Sequence, residues 1–143
     1  LKAAFLAGEA FSKSYVGYCH AVAHSLGGLY HIPHGLANAV LLPYVLKAYD
    51  VSAHNKCKDI AIAMALADHN TPADVAAGLL ITEIRRLNKA MNIPEKLPGI
   101  RRGDISMLAT YADREANPLY PVPKLMDAKQ LERFYYDVME DPK

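Results

Sequence analysis

Between Tyr18 and Pro43 the chain concentrates His20, His24, His31 and His34, four of its six histidines, around Gly27-Gly28 and Pro33. His20 and His24 are four residues apart, so on a helix they project from one face, one turn above the other. Gly27-Gly28 is expected to break that helix, and Pro33 presets the first turn of the next, with His34 beside it. Two helices meeting at a short turn can aim imidazoles into one small volume. The rest of the chain reads as packing around that corner.

The flanking sequence supports an all-helical fold of about six helices. Leu1 to about Ser25 is rich in alanine and apolar residues and reads as one bent helix, weak at Gly8 and Gly17. A second helix is expected from His34 to about Ala48, kinked or ended by Pro43. Cys57, Ile60, Ala61, Met64 and Ala65 give Asn55 to Leu66 a helical period. Thr71-Pro72-Ala73-Asp74 has the layout of a cap, a first-turn proline and a first-turn acid. The helix it opens is expected to reach Met91, burying Val75, Leu79, Ile84 and Leu87. Asp104 is placed to cap a short helix through Ala112, and Asp127 a last one from Ala128 to Met139. Asn117 to Pro123, with three prolines in seven residues, is expected to cross in extended form. No run alternates with period two long enough to predict a strand.

Composition removes several function classes. A formal charge of +1, with no basic run longer than Arg85-Arg86 or Arg101-Arg102, gives no footprint for nucleic acid. No unbroken apolar run approaches a membrane span, and nothing resembles a signal peptide. Cys19 and Cys57 lack zinc-ligand spacing and the density of a secreted scaffold, which predicts free thiols in a cytoplasmic protein. At 143 residues there is one domain's worth of chain, with no internal boundary. It opens on Leu1, already in helical register, and is therefore read as a fragment whose N-terminal partner is missing.

Imidazole binds borderline metals through its neutral form. His34, at a helix start, faces the positive end of the dipole, which disfavours imidazolium and keeps a lone pair available. His20 and His34 are 14 residues apart across the turn, which suits one ligand from each arm of a helical hairpin. His24, one turn from His20, is within reach of the ligands or of a substrate. His31, His54 and His69 read as turn or helix-end residues.

The pattern His20-Ala-Val-Ala-His24-Ser-Leu-Gly27-Gly28, continuing through Pro33-His34-Gly35-Leu36-Ala37-Asn38-Ala39 to Leu42-Pro43, resembles the signature of the iron-containing (group III) alcohol dehydrogenases. Ala10-Phe11-Ser12, Gly17 and the later Asn117-Pro118 fit the same pattern. The resemblance is dense from Gly8 to Pro43 and looser beyond.

It implies that residues 1–143 form the helical C-terminal metal-binding domain, without the Rossmann-like NAD(P)-binding domain that precedes it in cis. The implied metal is Fe2+, held by one Asp and three His, with His20 and His34 in the last two places. The Asp-x-x-x-His motif that supplies the other two is absent from this chain. The resemblance makes His24 a proton relay close to nicotinamide and substrate, and Phe11 a substrate-pocket aromatic. On a straight helix, however, Phe11 would point away from His20. Asp113 stands where many relatives carry a cysteine.

The implied reaction is reversible hydride transfer between a small primary alcohol or diol and NAD or NADP, giving an aldehyde, in a protein that is commonly a homodimer. Gly27, Gly28 and Gly35 are expected to serve turn geometry and close packing. Two other readings stand beside this one. They are a glycerol-dehydrogenase-like or dehydroquinate-synthase-like enzyme using Zn2+, and a non-catalytic helical binding module whose histidines merely pack.

Overall fold

The computed structural model describes residues 1–140. Among these are seven α-helices: α1 (Lys2–Ser14), α2 (Tyr18–Tyr30), α3 (His34–Tyr49), α4 (Val51–Ala63), α5 (Ala73–Ala90), α6 (Ile105–Ala116) and α7 (Ala128–Val138). A single 3-10 turn, Arg102–Asp104, leads into α6. The extended pairing among the described residues is one isolated bridge, Leu97 with Met139, so the fold is all-helical as the sequence predicts.

The core centres on α2, which packs against α3, α6 and α7; α4 and α5 form a second layer, joined to the first mainly through α3. Tyr18 opens α2 and fastens it to the distant crossing between α6 and α7, which begins with a turn at residues 117–119 rather than in extended form. Its hydroxyl lies 2.8 Å from Asn117 Oδ1 and 3.0 Å from the Met126 carbonyl oxygen, and accepts from the Met126 N–H at 2.9 Å. A fully buried phenol needs such partners, because an unpaired polar group away from water is costly. Gly17 precedes it, and a Cβ there would meet the Tyr49 hydroxyl at 3.1 Å, a tight contact that the phenol would have to yield to by a few tenths of an ångström.

Five further sequence expectations change in whole or in part. The chain does not run as one bent helix to Ser25: it stops at Ser14 and restarts at Tyr18, with Tyr15 at a φ of 60° between. Gly27-Gly28 does not break α2, which continues to Tyr30. His31 ends it in the left-handed conformation, its N–H bonded to the Gly27 carbonyl. Of the two outcomes expected at Pro43, the end is ruled out, since α3 runs past it to Tyr49.

The face of α5 is also turned. Ala76, Ala77 and Leu80 are buried, while Val75 and Leu79 are exposed and Ile84 is only partly covered. Thr71 does not cap α5 through its side chain. Its hydroxyl donates to Asp68 Oδ1, which also accepts from the backbone N–H groups of Asn70 and Thr71. The local Asx turn has taken the threonine. By contrast α7 begins with a complete capping box between Asp127 and Gln130.

Candidate metal and substrate site at the histidine corner

The buried side of α2 (Tyr18, Ala21, Val22, Ala23 and Leu26) fixes which way its other side faces. His20 and His24 occupy that other side, His24 exposed and His20 half-buried. The turn at His31 to Pro33 then sends the chain back as α3, whose first bond runs from the Ala37 N–H to the Pro33 carbonyl. Pro33 thus gives α3 its start and sets His34 beside α2.

Three imidazoles come together. Ring centroids are 5.2 Å apart for His20 and His34, 5.0 Å for His24 and His34, and 6.0 Å for His20 and His24. The pairs differ in attitude: His24 stacks on His34 at 23°, whereas His20 and His34 are inclined at 55°. Two imidazoles bound to one ion at about 2.1 Å per bond have centroids roughly 5 Å apart. Both pairs that include His34 fall near that separation, and they differ in ring attitude.

Electrostatics favours the neutral ligand form. Burial pulls the His20 pKa below its ordinary value, and the neighbouring His34 and His24 push the same way, against a smaller opposing pull from Glu115. Cys19, next in sequence, is driven up to about 12 by burial and stays a thiol at neutral pH. At His34, the Asn38 amide nitrogen lies 3.0 Å from Nε2 and donates to the His34 carbonyl at 3.0 Å. Asn38 Oδ1 is buried with no partner among the described residues, leaving an acceptor beside His34.

The chemistry of this donor set suits a borderline divalent cation, but only in part. Among the described residues no three His, Cys, Asp or Glu side chains converge closely enough to hold an ion by themselves. An ion held between His20 and His34 would need further ligands from outside the described residues.

Beside His24 lies an open cavity of about 340 Å3, lined by His24, Ser25, Gly28, Leu29, Leu108, Tyr111 and Glu115. A Cβ on Gly28 or Gly35 would touch nothing within 4 Å. Close packing within the described residues therefore does not account for either glycine, contrary to expectation. Phe11 is not brought to this corner: it lies on α1, 52% exposed, and is not among the residues lining the cavity. Asp113 accepts from the Asn117 amide at 2.7 Å, which ties it to the crossing.

Sequence reasoning passed over one contributor. Glu115, on α6, places Oε1 2.7 Å from His24 Nδ1, and Tyr120 donates to the same oxygen at 2.7 Å. Glu115 is 91 positions from His24, and no local spacing signals the pair.

The profile described as "Fe-containing alcohol dehydrogenase family, C-terminal" matches residues 1–139. The chain is 41% identical over 117 residues to 1,3-propanediol dehydrogenase of Citrobacter freundii, covering 80% of this chain and 30% of that one. It is 40% identical over 118 residues to alcohol dehydrogenase 4 of Saccharomyces cerevisiae, covering 80% of this chain and 29% of that one. Among solved structures, alcohol dehydrogenase from Oenococcus oeni superposes with a TM-score of 0.83 at 28% identity, over 93% of this chain and 35% of that one. The chain thus spans about 30% of the length of the curated relatives it matches.

Proposed function

The chain belongs to the Fe-containing alcohol dehydrogenase family, and from that premise we propose that it is the metal-binding part of an NAD(P)-dependent alcohol dehydrogenase interconverting a small primary alcohol or diol and its aldehyde. Residues 1–143 then form the helical C-terminal domain, working in cis with a Rossmann-like domain that binds NAD or NADP. The observation that carries this reading is the inclined pair His20 and His34, 5.2 Å apart, within a family match that runs through residue 139. The names of relatives such as 1,3-propanediol dehydrogenase support a small alcohol or diol as substrate.

In this reading His20 and His34 hold a divalent ion, Fe2+ in the first instance, with further ligands from outside the chain. When bound, the ion supplies Lewis acidity toward an alcohol oxygen, and the dinucleotide supplies the hydride acceptor. His24, one turn from His20 and open to the cavity, takes the hydroxyl proton. Leu29 and Leu108 give that cavity an apolar wall that limits water around the reacting carbon. The working protein is taken to be a cytoplasmic homodimer. Among the described residues no helix is long and apolar enough to cross a membrane.

The test compares His20→Ala and His34→Ala with the parent in the full-length protein. Bound metal and alcohol oxidation should fall in both by more than the roughly 10–100-fold that losing a ligand's hydrogen-bond partner costs. Full metal content and activity in both variants would end the assignment.

A further inference from the structure

We propose that Glu115 is a positioning residue for His24, fixing the plane and tautomer of its ring; this rests on the dehydrogenase reading above only for its effect on turnover. The geometry is direct. Glu115 Oε1 lies 2.7 Å from His24 Nδ1, and a carboxylate can only accept, so the neutral ring carries its proton on Nδ1. That leaves the Nε2 lone pair as the ring's acceptor.

The carboxylate is itself held. Tyr120 donates to the same oxygen at 2.7 Å, so three elements meet: α2 with His24, α6 with Glu115 and the crossing with Tyr120. Burial and the adjacent Glu115 raise the Tyr120 phenol to about 12, which keeps it a donor at neutral pH. Neither side chain is sealed from water, with 44% of His24 and 33% of Glu115 exposed. The pair therefore sets direction rather than contributing much to folding.

Helix stability gives no reason for an acid at this position. Glu115 lies in the last turn of α6, where the negative end of the helix dipole opposes a carboxylate. Both members line the cavity next to the paired histidines, so the constraint acts where a substrate hydroxyl would sit. The arrangement has the layout of an orienting carboxylate behind a catalytic imidazole.

The experiment uses the full-length protein with 15N-labelled histidine. Ring-nitrogen spectra should show His24 mainly as the Nδ1–H tautomer, and Glu115→Ala should shift it toward Nε2–H. In the same variant kcat should fall about tenfold or more while KM for the alcohol and metal content change little. Glu115→Asp should recover part of kcat, and Tyr120→Phe should show a smaller loss. If Glu115→Ala does not fold, Glu115→Gln carries the kinetic test with the same expected sign. An unchanged His24 tautomer in Glu115→Ala, or parental kcat in both Glu115→Ala and Glu115→Gln, would overturn the proposal. A parent protein with neither metal nor activity would instead remove the dehydrogenase reading, and the ring-nitrogen spectrum would still report on Glu115.

Discussion

Helices α1 and α2 are neighbours in sequence, each 13 residues long, yet they hold opposite places in the molecule. α2 buries five side chains on one face and turns two histidines to the other. α1 buries none, and Phe5, Leu6 and Phe11 stand 71%, 50% and 52% exposed. The difference teaches that apolar content offers a helix for burial, while only facing helices decide whether the offer is taken. α2 has α3, α6 and α7 around it; α1 has no such surround among the described residues. The same logic orients the site, since burying one face of α2 is what turns His20 and His24 outward together.

Truncating one leucine in each helix tests this contrast with the largest expected effect. Leu26→Ala empties a fully buried position and should cost about 2–5 kcal/mol in urea unfolding. Leu6→Ala should change stability by no more than about 0.5 kcal/mol. Equal losses would mean that α1 is covered in solution by something that buries Leu6.

A middle-sized effect separates a helix with a built start from one without. Asp127→Ala removes the side-chain half of the α7 capping box and should cost about 1 kcal/mol, read as a lower urea midpoint at unchanged slope. α1 has no side-chain cap, so Leu1→Ala should leave the midpoint where it is.

The smallest effect is a pH dependence near the far end of α2. Tyr30 donates to Asp104 at 2.7 Å and Arg101 lies 2.8 Å from the same oxygen. These partners, the Tyr30 hydroxyl first, hold the Asp104 carboxyl below its ordinary value. A depressed carboxyl pKa stabilises the fold above the unfolded value of about 3.9, and that contribution is lost as pH falls through the folded value. The unfolding temperature should therefore drop on acidification below about pH 4, and less steeply in Asp104→Asn.

The sequence announced those features whose causes are local. Asp127 with Gln130 starts α7, Pro33 starts α3, and the four-residue spacing of His20 and His24 places both on one side of α2. It misled where a local signal meets a competitor, near or far. Val75 and Leu79 fit a helical stripe, but α4 and α3 meet the side of α5 that carries Ala76, Ala77 and Leu80. Thr71 reads as a cap until Asp68 claims it three residues earlier. Gly27-Gly28 reads as a break, yet helical bonds outlast the propensity cost and the chain turns at His31 instead. Glu115 could not be found by spacing at all, since it meets His24 only when α6 folds onto α2.

That His20 and His34 grip a common cation is tested most directly by following the unfolding temperature of the full-length protein as Fe2+ or Zn2+ is added. The parent should gain stability with rising metal concentration, because a ligand that binds only the folded state shifts the equilibrium toward it. His20→Ala and His34→Ala should each lose most of that gain. An equal metal-dependent rise in the parent and in both variants would contradict the account.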